Sequence, residues 1–239
     1  MILQFQADLF QLREALVCSY LLVDGDEVCL IDGGFLRGIR NISNCLSQLG
    51  LGWENITTIL LTHGHLDHTY NLAKIQKRSG AKLYAHPLDA PHISGRYPYR
   101  GISRTCGLLQ KCGRILFGFT APQPTHALAH EKSIPFGGGI QVLHTPGHTE
   151  GHCCFHWLKR KTLFAGDLFA TSSKRTFLPP SFLNSCPERY PRSLRLIAKH
   201  EVEGMLSNHC DKAPPKVQQA RFLELASKPA FPGFAAPYK

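Results

Sequence analysis

No apolar run in this sequence approaches the ~20 residues needed to span a bilayer, so a membrane helix is not expected. The opening segment, MILQFQADLFQLREALVCSYLL, lacks a basic stretch followed by a continuous apolar block and does not read as an export signal. The nine cysteines are odd in number and form no repeated CxxC pattern. Cys153 and Cys154 are adjacent, and bonding them to each other would strain the backbone. A reduced, cytoplasmic chain with free thiols is expected. Internal repeats and low-complexity tracts are also missing. Acidic residues are scarce: 17 Asp and Glu face 27 Lys and Arg, for a net charge of +10 and a pI near 9.3. That balance could favour nucleic acid, an anionic membrane or an acidic small molecule. The basic residues are scattered, however. Their densest cluster, Leu158 to Lys161 (LKRK), sits between two apolar runs, as a solvated hairpin turn would. A small-molecule partner, anionic by this charge balance, is therefore expected in preference to nucleic acid, with no membrane partner.

The chain is 43% hydrophobic and 18% charged, enough to bury a core. Two β-prone runs flank Asp24-Gly25-Asp26-Glu27, a hairpin signal. A helix is expected over Arg37 to Gln48, stopped at Gly50, and a buried strand over Ile56 to Thr62. A second helix fits Asp67 to Arg78, followed by a strand over Ala81 to His86. The later half is strand-rich (IQVLHTPG, HCCFHWL, TLFAGDLF). It ends in a helix near Arg192 to His200, a strand at Val202 to Leu206 and a helix from Pro215 to Leu225. Strands thus come in two batches, each followed by helices. That order suits two sheets packed face to face with helices outside, an α+β fold.

Residues 87–130 interrupt this order. Leu108, Leu109, Cys112, Ile115 and Leu116 recur there at roughly helical spacing, either as a helix packed on the core or as a lid over a pocket. The tail KPAFPGFAAPYK reads as irregular, while its Phe231, Phe234 and Tyr238 suggest docking.

The chemistry concentrates in LLTHGHLDHTYN, Leu60 to Asn71. A strand end opening into a loop can point His63 and His65 the same way. Entry into a helix then turns Asp67 and His68 toward a neighbouring point. Imidazole with carboxylate suits zinc, and also iron or manganese. Buried without a cation, the group would leave a costly carboxylate and unsatisfied ring nitrogens. Three later segments offer more donors: His148 after a Pro-Gly turn, Asp167 at the end of an apolar strand, and His209 at the end of another. His86, His92, His126, His130, His156 and His200 lack partners at ligand spacing and read as ordinary surface or hydrogen-bonded residues.

Together these segments resemble the metallo-β-lactamase superfamily, whose motifs run in the order HxHxDH, histidine, aspartate, histidine. The likeness covers Asp32 through His209, and LIDGG is similar to the family's early aspartate motif, with Asp32 a structural partner beside the site. The resemblance implies a four-layer αββα sandwich formed by one domain over residues 1–239, with the site at one edge between the sheets and the insertion at 87–130 over it. It implies that His63, His65 and His148 hold one metal, that Asp67, His68 and His209 hold a second, and that Asp167 bridges both. Two divalent ions, zinc in the first instance, would share and acidify a water that acts as hydroxide. Asp67 would orient that nucleophile and carry its proton toward the leaving group. Two departures stand out. Asn208, not the usual glycine, precedes His209, and Cys210 follows it as a competing thiolate. Glu150 occupies a position that is commonly small or variable, and exposure is expected for it.

TPGHTEGH and FAGDLF look most like the glyoxalase II branch, which hydrolyses thioesters. The about 30 residues after His209 are too few for that enzyme's helical substrate-binding domain. The insertion is expected to supply the pocket instead, as in related quinolone-response thioesterases. Arg100, Arg104, Lys111 and Arg114 would meet an anionic group there, and Leu108, Ile115 and Phe117 would line apolar space. A solvated helix face is the other reading. Rival functions on this scaffold are a mononuclear iron oxygenase of persulfides, a nuclease and a non-catalytic ligand-binding regulator. A secreted β-lactamase is disfavoured, because Asp167 stands where one major group of those enzymes has cysteine.

Overall fold

The computed structural model describes residues 1–96, 98–173 and 175–227; the tail KPAFPGFAAPYK lies outside them. A first sheet runs in chain order through β1 (Ile2–Gln6), β2 (Leu9–Arg13), β3 (Cys18–Asp24), β4 (Glu27–Ile31), β5 (Ile56–Leu60), β6 (Lys82–Ala85) and β7 (His126–Ala127). The β3–β4 hairpin turns at Gly25, whose φ of +60° costs glycine no Cβ clash. From β4 to β7 the pairing is parallel, with α1 (Gly38–Gln48), α2 (Leu66–Thr69) and α3 (Leu72–Ser79) among the connections. The insertion adds α4 (Ala90–Ser94) and α5 (Arg104–Leu116) between β6 and β7.

The second sheet holds β8 (Ser133–Ile134), β9 (Ile140–His144), β10 (Cys153–Trp157), β11 (Thr162–Ser172), β12 (Arg175–Phe177) and β13 (Gly204–His209). Its order is β12-β11-β10-β9-β8, and β13 pairs parallel with β11. α6 (Tyr190–Ala198) and α7 (Pro215–Ala226) follow.

Three apolar layers hold these parts together. Tyr20, Leu22 and Leu60 of the first sheet meet Val142, Phe155 and Phe164 of the second. Ile42 and Leu46 of α1 and Ile75 of α3 cover the other face of the first sheet, against Leu30 and Ile59. Leu194, Ile197 and Phe222 of α6 and α7 cover the second, against Leu163 and Met205. Each such side chain, fully buried, stabilises by roughly 1.5–3 kcal/mol. The result is the expected αββα sandwich.

Several details differ from the sequence reading. β1 and β2 precede the segment at which that reading began. The helix expected over Asp67 to Arg78 is two helices, because Asn71 at the break donates through Nδ2 to the carbonyls of Gly33, Gly34 and Phe35. β11 does not end at Asp167 but passes through an irregularity there and continues to Ser172. The LKRK segment is a turn, as expected, with Lys161 in the left-handed region and paired with Glu203. All nine cysteines are free.

In the insertion the structure agrees with the solvated-face reading and not with an apolar stripe turned to the core or pocket. α5 forms where the periodicity places it, yet Leu108, Leu109, Cys112, Ile115 and Leu116 face outward, while Cys106, Gly107 and Arg114 are buried. Gly113 lies on the side of α5 that meets α2: a Cβ there would come within 2.8 Å of Leu66 Cδ2, so that leucine methyl would have to shift to admit one.

Candidate metal centre

Beyond β5, Leu61 and Thr62 stay buried, and so do His63 and His65 in the loop that follows. Thr62 is held by Asp32, which accepts from its backbone N–H at 2.8 Å and from its hydroxyl at 2.7 Å. His65 has extended backbone before α2, and Asp67 and His68 lie within that short helix. Loop and helix thus aim two pairs of donors at neighbouring points. On β11, Gly166 takes φ +54°, and a Cβ there would meet His152 Nε2 at 2.5 Å. That glycine lets the strand bend and present the buried Asp167 to the histidines.

The ligand atoms of His63, His65 and His148 lie within 4.8 Å of one another. The same limit groups His63 with His68 and Asp167, and Asp67 with His68 and His209. Asp167 stands between these groups. Its carboxylate is 3.1 Å from His209 Nε2, 3.3 Å from His148 Nε2, 3.5 Å from His68 Nε2 and 3.9 Å from His63 Nε2.

The outward nitrogen of each imidazole has its own partner. His63 Nδ1 meets Thr62 Oγ1 at 3.1 Å, and His68 Nδ1 meets Asp32 Oδ2 at 2.9 Å. His148 Nδ1 meets Asn184 Oδ1 at 2.8 Å, and His209 Nδ1 meets the Leu16 carbonyl at 2.6 Å. His65 is turned over: its Nε2 meets the Tyr99 hydroxyl at 2.6 Å, and its Nδ1 faces His148 Nε2 at 2.9 Å. Such partners fix the tautomer and leave one lone pair per ring for a cation.

Buried His63 Nε2, His68 Nε2 and Asp167 Oδ1 have no hydrogen-bond partner. Each unsatisfied atom costs about 1–3 kcal/mol, a penalty that a bound cation removes. The residues therefore fit a divalent metal. Burial, aided by neighbouring imidazoles, holds His63 and His65 well below the usual histidine range, in the neutral form that binds metal. At His68 burial opposes the charge, but Asp67, Asp167 and Asp32 outweigh it and raise the ring to about 9. At Asp167 burial works against ionisation, and His209 and His68 overcome it.

Further buried groups brace the loops. Asp89 accepts from Gly64 N at 2.6 Å, Thr149 Oγ1 at 2.9 Å and Gly151 N at 2.7 Å, joining the loop of His63 and His65 to that of His148. His152 Nε2 accepts from the Asp167 backbone N–H at 3.0 Å. Asp32 also accepts from Asn208 Nδ2 at 2.8 Å, so the residue that departs from the family pattern supports the group that holds His68.

Sequence reasoning passed over Asp89, His152, Tyr99 and Asn184. Asp89 carries a weaker signal than Asp167, since it lies four residues beyond β6, in the turn that opens at Pro87. Tyr99 and Asn184 carry no such signal, because only the fold brings them to His65 and His148. His92, read as ordinary, is buried against His65 and Tyr99 and pairs with Glu150 at 3.2 Å. Glu150 is accordingly not exposed; it also accepts from Ser185 Oγ at 2.9 Å. Cys210 Sγ turns away from the ligand groups to Gln11 Nε2 at 3.1 Å.

A cavity of about 260 Å³ opens over the site, lined by Phe35, Leu66, Gln110 and Leu183 beside His65, Asp67, His148, Asp167 and His209. Phe117 packs edge-on against Phe35 and supports this wall from behind. Arg104 is exposed, outside the residues lining the cavity. Arg114 is unavailable to a substrate: its buried guanidinium donates to the carbonyls of Ile93, His92 and Gly64 at 2.9, 2.7 and 3.1 Å.

The sequence profile of the Metallo-beta-lactamase superfamily matches residues 13–203. The chain belongs to the metallo-β-lactamase superfamily. Among relatives of this superfamily member, the probable metallo-hydrolase YflN of Bacillus subtilis is 27% identical, over 83% of this chain and 81% of that protein. The probable metallo-hydrolase YybB of the same organism is 30% identical over 69% of this chain, a match spanning 66% of YybB, just under two thirds of its length. A hydroxyacylglutathione hydrolase of Rhizobium meliloti is 34% identical over 53% of this chain and 39% of that enzyme. A metallo-beta-lactamase family protein from Thermus thermophilus has the same fold, with a TM-score of 0.73 at 24% identity, over 94% of this chain and 80% of that one.

Proposed function

We propose that this superfamily member is a hydrolase of small thioesters or esters that works with two divalent metal ions, zinc in the first instance. The observation that carries the reading is the Asp167 carboxylate, set among four imidazole nitrogens with one of its oxygens unpartnered. His63, His65 and His148 would hold one ion, Asp67, His68 and His209 the other, and Asp167 both. Bound there, the ions supply an acidified water and positive charge for an oxyanion.

The protein's own groups do the rest. Asp67, partly exposed at the cavity, lies 3.4 Å from His209 Nε2 and can pass a proton between the reacting group and solvent. Asp32 and Asn208 fix His68. Phe35, Leu66 and Leu183 exclude water and offer an apolar wall to an acyl or thiol substituent. Similarity to a hydroxyacylglutathione hydrolase supports a thioester substrate, and the free thiols fit a reduced compartment. Asp67, His68 and His209 offer donors for a second ion, and metal content separates this reading from a mononuclear iron oxygenase.

The test is metal analysis of the purified protein alongside thioester, ester, lactone and phosphodiester hydrolysis. Two metals per chain and anaerobic thioester or ester turnover are expected. One iron per chain with oxygen uptake, or inertness toward all four substrate classes, overturns the proposal.

A further inference from the structure

Between Asp89 and Glu131 the sequence has no acidic residue, yet it carries Arg96, Arg100, Arg104, Lys111 and Arg114, half of the net +10. Arg114 is spent inside the fold, and the other four are exposed. On the same segment Leu108 and Leu109 are each 63% exposed, Ile115 73% and Leu116 77%, with Ile102 at 67% in the turn before α5. An amphipathic helix ordinarily aims such a stripe at the core. Here the glycine side of α5 takes that place, and the apolar stripe remains outside beside Arg104 and Lys111. The stripe extends toward the metal site. The Ser181–Leu183 turn packs on α5 and exposes Phe182, next to the cavity residue Leu183.

We propose that the outer face of α5 docks this protein on an anionic lipid bilayer. Leu108, Leu109, Ile115 and Leu116 enter the interface between headgroups and acyl chains, and Arg104 and Lys111 meet lipid phosphates. Charge decides between a bilayer and a second copy of the chain. A symmetric dimer through this patch would set identical cations near one another, with no carboxylate from the insertion to pair them. An anionic bilayer supplies both the apolar depth and the opposite charge. The docking is peripheral, since no described helix is long and apolar enough to cross a membrane. It does not depend on the reaction proposed above.

The test is flotation of the full chain with vesicles of phosphatidylcholine alone and of phosphatidylcholine mixed equally with phosphatidylglycerol. Binding to the mixed vesicles only, weakened by salt, is expected. Lys111→Ala lowers the partition coefficient about fivefold. A variant combining Leu108→Ser, Leu109→Ser and Ile115→Ser abolishes binding while keeping the parent melting temperature, because those side chains are exposed. Lys111→Glu provides a second check, with a larger loss than Lys111→Ala. Failure to float with the mixed vesicles, equal binding to both kinds, or full binding by the triple-serine variant overturns the proposal. So does a dimer in sizing chromatography that the triple-serine variant dissolves, because the face is then a subunit interface.

Discussion

Asp167 Oδ2 reaches His209, His148 and His63, while its Oδ1 faces His68, so one carboxylate touches both halves of the candidate site. Asp167→Asn keeps the shape and removes the charge. It is expected to lower bound metal and to slow hydrolysis by at least ~100-fold, exceeding the 10–100-fold typical of residues that merely support ligands. Unchanged metal content and rate in that variant would refute the assignment. Tyr99 belongs to the supporting kind. With Nδ1 of His65 free for a cation, Nε2 carries the proton and donates to the Tyr99 oxygen. Tyr99→Phe should weaken metal binding ~10–100-fold in chelator competition, with little change in melting temperature of the metal-free protein. Equal affinity in the two proteins would remove Tyr99 from the site. The two residues also differ in legibility. Asp167 can be found from sequence because a carboxylate set in an apolar run, LFAGDLF, is physically expensive. Tyr99 cannot, because nothing near it in the chain announces a histidine partner 34 positions away.

At the level of elements, α5 separates what periodicity can tell from what it cannot. Residues 108, 109, 112, 115 and 116 do share a helix face, as their spacing predicts, but spacing does not say what that face meets. Cys106, Gly107 and Arg114 form the buried side, and Arg114 ties it to the core by donating to three carbonyls, one of them in the HGH loop at Gly64. The Arg114 guanidinium also stacks on Phe119, 4.0 Å from the ring centroid. Arg114→Ala strands those carbonyls, and a loss of ~2–4 kcal/mol, or about 5–15 °C in melting temperature, is expected. Arg114→Lys should recover only part of it, since an ammonium cannot reproduce the planar fork. Thermal unfolding of both variants checks this, and a melting temperature equal to the parent's for Arg114→Ala would return Arg114 to the list of substrate-binding candidates. The α2–α3 break has the same character. Helical spacing runs on through Tyr70 and Asn71, but Asn71 is recruited by the loop after β4, whose position depends on the whole sheet.

Across the whole molecule, histidines outside the metal centre sit at the seams between layers. His86, just past β6 of the first sheet, stacks at 4.1 Å on His144, the last residue of β9 in the second. His156 on β10 meets His200, just beyond α6, at 2.9 Å. Burial, with the neighbouring ring adding to it, lowers both His86 and His156 from 6.5 to about 4. A histidine whose pKa is lowered on folding binds its proton more readily in the unfolded chain. Stability from these pairs is therefore complete above about pH 6.5 and is lost as pH falls toward 4. The melting temperature of the metal-free protein should drop across that window. A variant combining His86→Asn and His156→Gln should drop less steeply, because it carries no proton-binding group at either position. Parallel curves for the two proteins would mean that acid acts elsewhere, on the ion pairs around Asp167, and not on the contacts between the layers.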